Sequence, residues 1–406
     1  MTNKFIQEIN SGSKTGSLKK EILCYYINNG ETSLADLGKE MNLSIPTITK
    51  LVSELIEDGY VDDFGKQETA GGRRPNIYGL NHNSGYFVGV DIDHSNLNIG
   101  MINFNGSLVD SKMNIPYKAE NTIDKFNELC DHVINFLDTC GIPKDKIINI
   151  GINLSGRVNP SSGLSYSLFF MEERPLTEIF EERFGIPTTI DNDTRAMAYG
   201  EYLSRGVKGE KNIIYINVGW GIGTGLIING DLFYGKSGFS GEFGHNPTFD
   251  NEVLCHCGKK GCLETEASGS YIYRQFIKKL ENGEISILSV KYEKGEEFHL
   301  KDIIDAALRD DTMAIELIEE VGITLGKATA GLINIFNPEL VVIGGMMAQA
   351  GDYFFLPFQS SIKKYSLNLV SSDSTIKLSK LGDKAGIIGA CMLARSKTVG
   401  LITLDD

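Results

Sequence analysis

Four side chains able to hold a soft metal ion lie close together in the chain: His245, Cys255, Cys257 and Cys262. One imidazole and three thiols form a closed tetrahedral set suited to structural zinc, one ion per chain. The stretch that carries them, GHNPTFDNEVLCHCGKKGCLE, is polar and glycine-rich. It offers thiols no apolar shelter, so three unrelated buried cysteines account for it poorly. The thiols would grip the ion in a tight loop, and His245 would tie that loop back to the body. His256 is a rival donor, but its neighbours on both sides already coordinate. A second group is DNDTRAMAYGE. Asn192 and Asp193 stand at a strand end just before a helix, where an amide and a carboxylate can exchange hydrogen bonds with adjacent sugar hydroxyls. The plainer role for Asp193 is a helix N-cap.

These groups need a scaffold, and the chain shows two textures. Residues 17–30 read as a helix with a glycine stop. A second short helix starts near Ser33, its N-cap, with Asp36 as reciprocal partner. A third runs from Ser44 to Asp58, with Pro46 in its first turn. There Ile45, Ile48, Leu51, Val52, Leu55 and Ile56 recur at helical spacing and define one buried face. Two short alternating segments around a glycine-rich, basic tip come next, which is a β-hairpin pattern. Three helices and a hairpin in about 80 residues give the winged helix-turn-helix order. Ser44, Thr47, Thr49, Lys50 and Ser53 would lie on the exposed face of the third helix, short donors suited to a major groove and its phosphates. Residues 1–80 carry a net charge of −2, yet positive charge is usefully placed at Lys14, Lys19 and Lys20 and at Arg73 and Arg74 in the wing.

From residue 81 the pattern becomes α/β. GYFVGVDID, NLNIGMINF and SLVDSKMNI are three short strands in a meander, followed by a helix and the strand KIINIGINL. The order recurs with KNIIYINVG, GTGLIING and DLFYG, then helices and the buried strand ELVVIGG. This predicts an internally duplicated, two-lobed body. The chain of 406 residues has room for two or three domains. Its hydrophobic fraction of 41% marks a globular protein, and no apolar run approaches the roughly 20 residues of a membrane helix. Without an apolar leader, and with an odd count of seven cysteines, a cytoplasmic, disulfide-free protein is expected, with no membrane partner. The net charge of −14 argues against broad nucleic-acid affinity but leaves room for a small DNA-reading domain, because the field that matters is local.

The metal-binding stretch resembles the zinc signature of the ROK family of repressors, sugar kinases and uncharacterised members. A G-x-x-G-x-x-G-E-x-G-H run is met by Gly235, Gly238, Gly241, Glu242, Gly244 and His245, and C-x-C-G-x-x-G-C-x-E by Cys255, Cys257, Gly258, Gly261, Cys262 and Glu264. The likeness runs from about residue 85 to the C-terminus, and GGRRP resembles the wing of the family's regulators. It implies an actin-like sugar-kinase body with ribonuclease H-like duplicated lobes, preceded by an α+β winged helix. The expected boundaries are 1–80 for the winged helix and 81–195 for lobe 1, completed by a C-terminal helix at about 385–406. Lobe 2 is expected over 196–384, with the zinc loop at 245–264. The likeness makes Asn192 and Asp193 the sugar-binding pair, Asp193 being the base in kinases. Glu242, His245 and Glu264 become the other hydroxyl contacts, His245 with one ring nitrogen on zinc and the other toward sugar.

The first strand departs from the kinases. They follow it with D-x-G-G-T-K, whose backbone amides cradle ATP phosphates. Here Asp91 is kept, but Asp93, His94, Ser95 and Asn96 replace the glycines, threonine and lysine. A carboxylate is added and a lysine lost where a triphosphate would lie. The second loop, GWGIGTG, keeps Gly219, Gly221, Gly223 and Gly225 but carries Trp220, the only tryptophan, where a small residue is usual; it reads as tight turns between strands. The expectation is therefore a sugar-responsive transcriptional regulator, a repressor, with operator DNA and a monosaccharide or derivative as partners. It would be a homodimer or homotetramer without kinase activity. The alternatives are an ATP-dependent ROK sugar kinase with an appended DNA-binding domain, and a zinc-stabilised scaffold that binds neither DNA nor sugar.

Overall fold

A computed structural model describes residues 8, 11–66, 75–170, 173–204 and 209–402. The chain divides into two compact units, Met1–Asp193 with Ala390–Asp406, and Thr194–Gly389.

The first unit begins with α1 (Lys14–Asn29), β1 (Thr32–Ser33), α2 (Leu34–Glu40), α3 (Ile45–Glu57), β2 (Val61–Lys66) and β3 (Asn76–Leu80). Side-chain caps start each helix: Ser13, Ser33 and Ser44 accept the backbone N–H three residues on. These bonds satisfy donors that a helix start leaves free. Asp36 reciprocates through the Ser33 hydroxyl, at 2.7 Å. The strands form a sheet in the order β1-β3-β2, so β2 and β3 make the expected hairpin. Its tip, with Arg73 and Arg74, lies outside the described residues.

Two expectations for this region need correction. Ile48, Leu51, Val52 and Leu55 are buried, but Ile45 and Ile56 are 56% and 37% exposed. The buried arc of α3 is thus narrower than the hydrophobic pattern. Nor is Lys19 available to a phosphate. It is 3% exposed, and its ammonium meets Glu8, Glu54 and Asp58 at 3.1–3.2 Å. A buried ammonium needs such partners, and here they fasten α1 to the end of α3.

The unit continues with β4 (Tyr86–Ile92), β5 (Asn96–Asn103), β6 (Leu108–Pro116), α4 (Ile123–Thr139), β7 (Ile147–Leu154), a small hairpin of β8 (Val158–Asn159) and β9 (Leu164–Ser165), α5 (Leu176–Phe184) and β10 (Thr188–Asn192). The sheet order is β10-β7-β4-β5-β6. Strands β4, β5 and β6 form an antiparallel meander, and β7 and β10 join in parallel after helical crossovers. Every residue of β7, IINIGINL, is buried, as a central parallel strand requires.

The second unit comprises nearly all of α6 (Asp193–Leu203), then β11 (Ile213–Val218), β12 (Ile222–Ile228), β13 (Asp231–Leu232), α7 (Glu264–Ala267), α8 (Gly269–Glu281), α9 (Ser289–Glu293), α10 (Leu300–Ala307), α11 (Thr312–Phe336), β14 (Leu340–Gly344), α12 (Asp352–Tyr365), α13 (Asn368–Asp373) and β15 (Thr375–Leu378). The chain then enters α14 (Ala385–Val399), whose later part belongs to the first unit. The sheet order is β13-β12-β11-β14-β15. Counted within each sheet, both units have the order 3-2-1-4-5, a meander extended by two parallel strands. The duplicated body is therefore present. Among the described residues no helix is long and apolar enough to cross a membrane.

Candidate functional site

In the second unit, residues 233–263 connect β13 to α7 with a single 3-10 turn, Phe243–His245, and two isolated bridges, Pro247 to Cys262 and Leu254 to Lys260. The bridges fold the segment back on itself. Gly241 makes the fold possible: its φ is +89°, and any side chain would collide with the Thr224 carbonyl. The result gathers one nitrogen from His245 and the sulfurs of Cys255, Cys257 and Cys262 within 4.8 Å of one another. Cys255 Sγ lies 3.6 Å from His245 Nδ1, and Cys257 Sγ 3.7 Å from Cys262 Sγ. The other ring nitrogen, Nε2, stands 3.6 Å from a Glu242 oxygen.

Burial pushes the Cys255 thiol up to about 12. It acts on Cys257 in the same direction, but the Lys259 N–H and the two neighbouring thiols outweigh it and lower that group. Three sulfurs around one point cannot all ionise without a cation between them. The donor set therefore fits a metal ion.

Glu264 opens α7 directly behind this loop. Its Oε2 accepts the Ile222 N–H at 2.9 Å, and its Oε1 meets His256 Nδ1 at 2.9 Å. Burial raises the carboxyl, but those two contacts outweigh it and the group is held below the usual range. Oε2 fills the space where a side chain at Gly221 would stand, so only glycine fits there. The turn from Gly219 to Gly221 is held from its other side by α8, because Gly269 and Ser270 donate their N–H groups to the carbonyls of Gly219 and Trp220 at 2.9 and 3.0 Å. The Trp220 ring packs against Tyr273 of α8, 5.6 Å between centroids. Tight turns explain only part of GWGIGTG. Gly223 and Gly225 lie inside β12, where α6 approaches too closely for a side chain.

In the first unit, β10 ends at Asn192 and Asp193 opens α6. Asn192 donates through Nδ2 to the Gly156 carbonyl at 3.1 Å, and Ser155 donates its hydroxyl to Asp193 at 2.7 Å. One residue earlier, buried Asp191 pairs with Lys397 of α14 at 2.9 Å, and Lys397 also reaches the Ile190 carbonyl. Ser155, Lys397 and the Arg195 side chain escape a reading of the sequence. Arg195 is 2% exposed; it donates to the Gly238 carbonyl and lies over the Tyr234 ring. Each of these contacts joins residues far apart in the chain, and no local pattern marks them.

The turn after β4 is closed on itself. Asp93 N–H donates to the Asn96 carbonyl at 2.9 Å, and His94 N–H to the Asp93 carboxylate at 2.7 Å. On the outward face of α3, Ser44, Thr47, Thr49 and Lys50 are all exposed. The Thr49 hydroxyl bonds back to the Ile45 carbonyl at 2.8 Å, and Lys50 stands 3.9 Å from Glu54.

Burial pushes the Asp91 carboxyl up to about 7; the charges of Asp193 and Asp93 add to this, against the opposing hydrogen bond from Asn153. Unfolded, the group titrates near 3.9. Between about pH 4 and 7 the folded state therefore holds a proton that the unfolded chain has lost, and this contribution to stability declines as pH rises through that window. Asp91→Asn should stabilise the protein at pH 8 by on the order of 1–4 kcal/mol, and scarcely at pH 4. Thermal unfolding of both proteins at the two pH values checks this; an equal difference at both would refute it.

The ROK family model matches residues 89–397, and a winged helix-turn-helix DNA-binding model matches residues 17–62. The xylose repressor of Caldicellulosiruptor bescii is 30% identical over 92% of this chain and 94% of its own. The glucokinase of Halalkalibacterium halodurans is 32% identical over 77% of this chain and 96% of its own. Among solved structures, a ROK family transcriptional regulator homologous to the E. coli MLC protein superposes with a TM-score of 0.78 at 28% identity, covering 98% of both chains. The chain belongs to the ROK family.

Proposed function

We propose that this protein is a sugar-responsive transcriptional regulator, a repressor, whose winged helix reads an operator and whose ROK body binds a sugar effector. The observation that carries the reading is the exposed, hydroxyl-rich face of α3 joined in one compact unit to a sugar-kinase lobe. Ser44, Thr47, Thr49 and Lys50 would face the major groove, with Arg73 and Arg74 at the wing. The xylose repressor, similar over nearly its whole length, supports the regulatory reading. Such motifs read paired half-sites, so two or four copies would act together, in the cytoplasm where the operator lies.

Asn192 and Asp193 would contact the sugar hydroxyls, as would Glu242, His245 and Glu264. Loss of kinase activity is supported by the turn after β4, whose His94 amide is taken by the Asp93 carboxylate, leaving added negative charge where phosphate would sit. It is supported again at α8, where the first two amides, a ready anion site in other helices, are used by Gly219 and Trp220. The kinase alternative draws on the glucokinase likeness and on Asp193 itself.

Zinc is the ion proposed for His245, Cys255, Cys257 and Cys262. Tetrahedral zinc, with bonds of about 2.3 Å to sulfur and 2.0–2.1 Å to nitrogen, sets sulfur–sulfur and sulfur–nitrogen separations near 3.8 and 3.6 Å. The separations here are 3.7 and 3.6 Å. Four protein donors leave no open position, so zinc would act as a crosslink and polarise no substrate.

Three outcomes are expected. Protein purified without chelator should carry one zinc per chain by elemental analysis, and a metal-free product would remove the zinc assignment. With ATP and D-glucose or D-xylose, no sugar phosphate should form; turnover near one per second, ordinary for an enzyme, would restore the kinase reading. Asp193→Asn should weaken effector binding by about ten- to a hundredfold, since a charge-assisted bond is lost, and leave operator affinity unchanged. Calorimetric sugar titration paired with operator gel shift reads both effects. Unaltered sugar affinity would make Asp193 only the opening residue of α6.

A further inference from the structure

We propose that His256 is a positioning residue for Glu264, fixing its carboxylate so that the metal-holding loop and the Gly219–Ile222 turn move as one piece. His256 sits between two metal-binding cysteines and invites a ligand role; it belongs to a second donor group with Cys255 and Glu264. The distances favour the carboxylate. Its Nδ1 is 2.9 Å from Glu264 Oε1 but 3.8 Å from Cys255 Sγ. One ring nitrogen cannot donate to a carboxylate and bind an ion together, and His245 completes the four-donor set without it.

The contact matters because the Glu264 side chain is only 10% exposed and has two oxygens to satisfy. Ile222 N–H serves one; His256 serves the other at 2.9 Å, with the Cys255 thiol at a longer 3.8 Å. With His256 removed, Oε1 would keep only the long contact from Cys255 Sγ at 3.8 Å in a poorly hydrated place, and the cheapest relief is rotation of the whole carboxylate. Rotation breaks the bond to Ile222 and frees the turn at one end, while α8 still holds Gly219 and Trp220 at the other. Trp220 would register that change, being the only tryptophan and two residues from Ile222. The sugar-affinity consequence rests on the effector reading above, in which Glu264 contacts a hydroxyl; the mechanical consequence does not.

The test compares full-length wild type with His256→Ala and His256→Asn, since the asparagine amide can place a donor where Nδ1 stands. His256 is 73% exposed in its side chain, so neither change threatens the core. Zinc content should be equal in all three proteins. His256→Ala should shift Trp220 emission and weaken by about tenfold the affinity for whichever of D-xylose, D-glucose or N-acetyl-D-glucosamine the wild type binds. His256→Asn should restore both. Loss of zinc in His256→Ala would make His256 a ligand and overturn the proposal, as would unchanged emission. If the wild type binds none of the three sugars, the effector reading fails for them, and Trp220 emission alone decides the role of His256: a shift reversed in His256→Asn upholds it.

Discussion

Thirty-one residues run between β13 and α7 with one short 3-10 turn and two isolated bridges as their regular structure. Loops of this length are uncommon in compact domains unless something else ties them. Here the proposed tie is a metal ion between three sulfurs and one imidazole, whose donor atoms lie within 4.8 Å of one another. The next elements of the chain follow directly on that cluster. The Cys262 carbonyl accepts from the Thr265 N–H in the first turn of α7, α7 begins with Glu264, and Glu264 reaches across to the turn between β11 and β12. The Gly219–Gly221 turn is thus held from one side by Glu264, next to the candidate metal loop, and from the other by α8. Its own carbonyls occupy the amides that open α8.

What the sequence discloses and what it hides divide along a physical line. The cluster of His245, Cys255, Cys257 and Cys262 is legible because all four lie on one short segment, where spacing alone restricts geometry. The duplicated sheet order is legible because strand length and apolar run record burial on one or both faces. Pairings across long separations leave no such trace. Ser155 with Asp193 and Lys397 with Asp191 join residues 38 and 206 positions apart, and neither partner differs in type from dozens of solvated neighbours. Lys19 misleads for the same reason. A lysine on a helix is normally solvated, and only the fold brings Glu8, Glu54 and Asp58 around it. The error over Ile45 and Ile56 is of another kind. Period identifies a helix and the middle of its buried arc, but the width of that arc is set by neighbours the pattern does not contain.

The connector between the winged helix and the first lobe has no slack. Only residues 81–85 separate β3 from β4. Asn81 N–H bonds to the Tyr60 carbonyl at 2.9 Å, Ser84 N–H to the Asn81 carbonyl at 3.2 Å, and Phe104 N–H to the His82 carbonyl at 3.2 Å. Beside these bonds the Tyr60 ring meets Phe104 edge to face, 5.5 Å between centroids, and Phe104 packs on Phe87 at 5.8 Å. Tyr60, Phe87 and Phe104 are almost wholly buried. Aromatic pairs of this kind add about 0.5–1.5 kcal/mol beyond the area they bury. Arg395 of α14 donates to the Phe104 carbonyl at 3.3 Å, and two residues on, Lys397 holds β10 at Asp191. One helix therefore contacts both Phe104, on which Tyr60 of the winged helix packs, and the strand that ends at Asn192. A flexible tether would let the winged helix ignore events at that strand end. Here backbone bonds, an edge-to-face ring pair and α14 instead join the winged helix and the strand end within one compact unit.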